Sequence, residues 1–210
     1  MRRCWGIVEQ DADEPGARRE AQALCAAGLP ALAVPANLIE ELPAAQVVRA
    51  LGVDSGPAKL LAAAAFTQRQ SRVVRVEEGP GAGRRALQLG LSMATGMPLN
   101  LFGGGKKEVE KTLSSSELLF YLDVYLSEPP RRLRVNAQDF DFSCLGERKG
   151  YDAAGNFRRL LESKAPLAAA LNVGARGLLD GRPVRELGYE SLDDLEREAR
   201  WLLTLIALKV

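Results

Sequence analysis

Not one of the 210 residues of this chain is histidine. That removes the side chain whose ordinary pKa lies nearest neutrality. With it go the usual general base, the orienting partner of nucleophilic triads and the commonest transition-metal ligand. A Ser-His-Asp or Cys-His constellation drawn from this chain is excluded, and so is a His-ligated zinc, iron or copper site. Cysteine is scarce as well. Cys4, Cys25 and Cys144 are odd in number, far apart and without a CxxC pair, which predicts reduced thiols in a cytoplasmic setting rather than a disulfide framework or a thiolate metal knot. The longest apolar runs, residues 60–66 and 201–208, fall well short of a bilayer's thickness, so no transmembrane segment is expected. Residues 1–5 start basic but meet Glu9, Asp11, Asp13 and Glu14 with no apolar stretch between, which does not read as a secretory signal. No charge of one sign dominates: 28 Lys+Arg against 27 Asp+Glu leave a net charge of +1. That balance supplies no general pull toward nucleic acid or acidic membranes. No repeat of 20–50 residues occurs.

What is present is a chain with material for a core, 47% hydrophobic and 26% charged. Its patterning predicts an α+β protein in three parts: a small βαβ domain over 1–52, a β-rich domain with a closing helix over 53–163, and C-terminal helices over 164–210 packing on it. In the first part, residues 4–9 read as a strand. Pro15 suits a first helical turn, Ala17, Ala21, Leu24 and Cys25 form a helical stripe, and Gly28 ends that helix. A second strand over 29–34 follows, parallel to the first by a right-handed crossover, and a third is expected over 46–53.

The central part reads as antiparallel β. Residues 60–66 and 72–76 are strand candidates, 84–93 a short helix, and 96–105 a loop. Residues 118–126 alternate strictly, with Leu118, Phe120, Leu122, Val124 and Leu126 on one face and Leu119, Tyr121, Asp123 and Tyr125 on the other. Pro129-Pro130 breaks that strand. Leu133 and Val135 then point inward, with Arg132, Arg134 and Asn136 outward, and Phe140 and Phe142 continue the period of two. Toward the C-terminus, Asp152 caps a helix that stops before Pro166. Residues 167–179 form a helical stretch weakened by Gly174 and Gly177. Ser191 opens a final helix through a capping-box variant completed by Asp194, with Leu192, Leu195, Ala199, Leu202 and Ile206 along one face.

Strands followed by a closing helix between Lys59 and Ser163 resemble a pleckstrin-homology-type barrel in topology. The βαβ unit over 3–34 resembles half of a ferredoxin-like fold. Both are likenesses of topology, from which no family and no function follow.

Several local patterns carry candidate chemistry. Gly103-Gly104-Gly105-Lys106-Lys107 offers close backbone approach and positive charge to a phosphate. The P-loop pattern, however, needs Ser or Thr where Lys107 stands. Gly81-Ala82-Gly83-Arg84-Arg85-Ala86 is a degenerate dinucleotide fingerprint without its βαβ context. A solvated turn accounts for either. Asp139 and Asp141 share a face, with Asp123 near on the neighbouring strand, and paired carboxylates hold Mg²⁺ or Mn²⁺ without histidine. The bland alternative is that Phe140 and Phe142 face the core and the carboxylates face water. Cys144 lies near Arg148 and Lys149, which would lower a thiol pKa; by parity it continues the apolar face instead. Arg69, Arg72, Arg75, Arg84 and Arg85 form one basic stretch, and Arg131, Arg132 and Arg134 another. On one sheet face, with Tyr121 and Tyr125, they would suit a phosphodiester.

No nucleophile, base and oxyanion donors assemble from these motifs. The function expected is a non-enzymatic binding or regulatory module for a partner protein or small ligand. Two alternatives are a phosphoanion or nucleotide binder using Gly81, Gly83, Arg84, Arg85, Lys106 and Lys107, and a nucleic-acid binder using the arginine-bearing face. The apolar run 201–208 is long enough to serve a homo-oligomer contact as well as a core.

Overall fold

Residues 60–66 show no hydrophobic alternation because both of their faces are covered. All seven are buried, as expected of a strand packed on both sides. The computed structural model describes residues 13–51, 57–78 and 107–209, with backbone alone for residues 70, 72–78 and 107–114. Within these, helix α1 (Glu14–Ala26) precedes four strands: β1 (Ala45–Val47), β2 (Ala58–Glu78), β3 (Lys107–Leu126) and β4 (Arg131–Asn136). Helices α2 (Ala153–Lys164), α3 (Val173–Leu179), α4 (Val184–Leu187) and α5 (Leu192–Leu208) follow. The chain divides into two compact units, Met1–Gln68 with Leu118–Val210, and Arg69–Glu117. The described residues of the second are its stretches of β2 and β3. The class is α+β.

The sheet is open and runs β1-β4-β3-β2. It is mixed rather than antiparallel, because β1 lies parallel to β4 with Ala45 opposite Arg132, while β3 and β4 are antiparallel with Asp123 opposite Arg134 and Tyr125 opposite Arg132. This register puts Leu122, Val124, Leu133 and Val135 on one face and Asp123, Tyr125, Arg132 and Arg134 on the other. Helix α2 covers the first face, where Phe157 meets Phe120 with ring centroids 5.4 Å apart. Helix α5 covers the second, where Glu196 reaches Arg132 and Arg134.

Helix ends follow the sequence closely. Asp13 accepts from the Gly16 N–H ahead of Pro15, Asp152 from the N–H groups of Ala154 and Gly155, and Ser191 with Asp194 completes a capping box. Each satisfies N–H groups that the helix leaves unpaired. Gly28 takes φ +81° just past α1, a conformation that costs glycine little.

Several expectations fail, and one falls where the structure describes nothing. The first strand of the βαβ unit lies outside the described residues, and residues 29–34 form no strand. The place beside β4 is taken by β1, shorter than the expected 46–53, and Leu29 and Leu32 stay exposed. Phe140 and Phe142 do face the core, but from a turn and a 3-10 helix (Phe142–Arg148) rather than a strand. Three residues per turn then put Leu145 inward with Phe142, and Cys144 is exposed rather than part of the apolar face. Residues 168–172 are extended, not helical. They run along the outer edge of β2, with Ala168 bridging Ala58 and Leu171 bridging Leu61. Strand edges seek such partners, and here the edge pairing wins over helix propensity. Arg132 and Arg134, expected outward, are buried under α5.

Candidate functional site

Asp123 is a carboxylate within the apolar last part of β3, and the sheet register decides its surroundings. It is 0% exposed. An isolated buried carboxylate would be costly, and the strand opposite supplies its counter-charges. Arg132 donates to Asp123 Oδ2 from Nε at 2.9 Å and from Nη2 at 2.7 Å. Arg134 donates from Nε to Oδ1 at 2.7 Å and from Nη2 to Oδ2 at 2.8 Å. These are charge-assisted bonds that fix both guanidinium planes. Tyr125 completes the floor: its ring lies 5.6 Å from the Arg132 guanidinium carbon, and its hydroxyl donates to Asp123 Oδ2 at 3.4 Å.

The arginines also converge on the outer side. Arg132 Nη2 and Arg134 Nη2 donate to one oxygen, Glu196 Oε1, at 2.8 and 3.0 Å. The Glu196 side chain is 37% exposed, against 4% for Arg132 and 11% for Arg134. The cluster is closed below at Asp123 and reaches solvent at Glu196. Burial pushes the Asp123 carboxyl up to about 6, against the pull of Arg134. Burial works to lower Arg134, but Asp123, Glu196 and Tyr125 together outweigh it and the guanidinium is held above its ordinary range. Tyr125 is raised by burial and by Asp123.

A second polar cluster lies at the start of α3. The Asn172 side chain caps that helix by accepting from the Ala175 N–H at 2.8 Å and donates to Glu198 Oε2 at 2.8 Å. Glu198 accepts from the Val173 N–H at 3.0 Å and from the Tyr189 hydroxyl. Its carboxyl is raised by burial, with Tyr189, Val173 and Asn172 opposing. Every polar atom here is taken up inside the fold, which marks a structural lock between α3, α5 and β2.

Of the residues singled out in the sequence, Asp123, Tyr125, Arg132 and Arg134 meet in the first cluster, while Asp139 and Asp141 join neither. Gly81, Gly83, Arg84, Arg85 and Lys106 lie outside the described residues; Lys107 begins β3. Asp139 accepts from Asn136 Nδ2 at 2.8 Å. Asp141 accepts from the Ser143 N–H at 3.0 Å and from Lys149 Nζ at 3.1 Å, and these bonds lower its carboxyl. Among the described residues no group of three or more His, Cys, Asp or Glu is placed to hold a metal ion. None of their helices is long and apolar enough to cross a membrane. Apart from Ala207, the apolar side chains of α5 are buried or half-buried within the chain's own fold.

Sequence inspection had the members of the arginine cluster but not their arrangement. Asp123 alternates with Tyr125 before the turn and Arg132 with Arg134 after it, and those two periods of two are the signal the sequence carries. Glu196 and Glu198 carried a weaker one, as charges beside the apolar stripe of the last helix. No family model matches this chain, and no match was found among curated proteins or solved structures.

Proposed function

We propose that this chain is a non-enzymatic binding module whose ligand is a small oxyanion, a carboxylate or a phosphate, held by Arg132 and Arg134. One observation carries the proposal: two guanidiniums, fixed from behind by Asp123, point their Nη2 atoms at a single oxygen of a side chain that is over a third exposed. Paired arginines in fixed planes suit planar or tetrahedral oxyanions. Asp123 is enclosed and cannot meet a substrate, which favours binding over acid–base turnover. The burial of both arginines under α5 favours a small ligand over an extended polyanion, which needs a basic surface to lie along. The cytoplasmic setting expected from the thiols belongs to the same proposal. The pleckstrin-homology-like and half-ferredoxin-like readings of the topology add no functional weight.

Thermal melting at constant ionic strength tests it, with sulfate, inorganic phosphate, acetate, nucleotide and Mg²⁺ in turn. A ligand that binds only the folded state stabilises by about 2.7 kcal/mol at a hundredfold excess over Kd. Sulfate and phosphate should raise the melting temperature in a saturable way, and Arg134→Gln should abolish the rise while still melting cooperatively. A flat response to every anion would reject the proposal.

A further inference from the structure

Two carboxylates meet the same pair of guanidiniums, and their circumstances differ. Asp123 projects from a strand, is fully enclosed and holds Arg134 through both of its oxygens and Arg132 through Oδ2. Glu196 projects from α5, is over a third exposed and engages them through Oε1. Resting on the oxyanion proposal above, we infer that Glu196 is an internal, displaceable ligand that keeps the arginine pair closed until an outside oxyanion takes its place.

The helix does not depend on this contact. Leu195, Ala199 and Leu203 bury the inner face of α5. Asp194 holds its first turn, Glu198 binds Asn172 and Val173, and Thr204 Oγ1 accepts from the Glu40 N–H at 3.0 Å. A Glu196 side chain that rotates outward therefore leaves α5 in place. Its carboxylate re-enters water, and the cost of the move is the positive charge left at the buried guanidiniums, which an incoming oxyanion offsets.

Charge makes the exchange selective. The two guanidiniums are balanced by Asp123 and Glu196, so outward rotation leaves one uncompensated positive charge at a site already shaped for oxygen. Glu196 is tethered and competes at the effective concentration of a short linkage, on the order of millimolar. An external monocarboxylate repeats its chemistry without the tether and competes poorly. A dianion such as sulfate or phosphate doubles the Coulomb attraction at the same distance and displaces it.

The experiment is a calorimetric titration of the full chain and of Glu196→Ala with sulfate, inorganic phosphate and acetate at constant ionic strength. Glu196→Gln serves as a second variant that removes the charge and keeps the packing. Both variants should bind sulfate and phosphate at least tenfold more tightly than the unmodified chain. Acetate should bind measurably to Glu196→Ala and not to the unmodified chain; the acetate and phosphate arms also separate a carboxylate from a phosphate ligand. Equal affinities in all three proteins would overturn the role of Glu196 and leave the oxyanion site standing. No binding to any of them would overturn the site itself.

Discussion

Asn172 pairs with Ala63 as though its side chain were another residue of the sheet. The Ala63 N–H donates to Asn172 Oδ1 at 2.9 Å, and Asn172 Nδ2 donates to the Ala63 carbonyl at 3.0 Å. Backbone bonds from the same segment to β2 precede it, Leu61 N–H to the Ala170 carbonyl and Asn172 N–H to the Leu61 carbonyl. The amide thus extends the edge pairing by one step, at the point where the chain turns into α3.

Asn172→Ala should therefore be severe. It orphans both backbone groups of Ala63 and the Ala175 N–H, and each buried unsatisfied group costs about 1–3 kcal/mol. A loss of about 3 kcal/mol or more is expected in urea unfolding. Asn172→Asp should not rescue it, because a carboxylate cannot donate to Ala63 and would face Glu198.

Gly174→Ala should also destabilise, by about 3 kcal/mol, the upper end of ordinary overpacking. A Cβ there would stand 1.9 Å from the Ala63 carbonyl oxygen and 2.8 Å from Tyr189 Cε2. The strand backbone has no slack to yield. A thermal melt within a degree of the parent's would show that the approach is looser than described.

Asp123→Ala leaves Arg132 and Arg134 buried with Glu196 as their remaining partner in the cluster. Breaking a buried charge network from one side costs about 3–5 kcal/mol. Replacing Asp123, Arg132 and Arg134 together by apolar residues of similar volume should cost less than the single change, since no charge is then stranded. Chemical denaturation of both variants decides it, and a milder single than triple variant would contradict the network described.

The pH dependence has a definite sign. The folded Asp123 carboxyl titrates near 6, above about 3.9 for an unfolded aspartate. The folded state therefore holds this proton more tightly. Its contribution to stability is full below about pH 4 and is lost as pH rises through 6. Arg132, Arg134, Tyr125 and Glu196 are the charged and titratable groups facing it. Glu198, also raised by burial, contributes with the same sign. With no histidine in the chain, no imidazole overlaps this window. Denaturation midpoints should fall from pH 5 to pH 7, and Asp123→Asn should flatten the fall; an unchanged slope in that variant would assign it elsewhere.

Much of the fold is legible where a rule is local. Pro15 in the first turn of α1, the caps at Asp152 and Ser191, the end of α1 at Gly28 and the alternation over 118–126 all rest on chemistry within a few residues. What fails is set by distant partners. Residues 168–172 look helical in isolation and become extended because the edge of β2 needs them. Arg132 and Arg134 look like solvent-facing strand residues until α5 covers that face. Two of the charges that read as a basic surface, Arg132 and Arg134, are thus interior ones, and the ion cluster lies where they meet a distant glutamate. Only the register of β3 against β4, together with the packing of α5, reveals that.

The most direct measurement follows the side-chain Nε–H signals of Arg132 and Arg134 by NMR while sulfate is added at constant ionic strength. Both groups are buried and hydrogen-bonded to Asp123, which protects these protons from rapid exchange with water. If the pair is an oxyanion site, the two signals move together along one saturable curve, and those of exposed arginines such as Arg18 or Arg158 do not. Signals of Arg132 and Arg134 that stay fixed throughout would contradict it, and would leave the cluster a structural ion network alone.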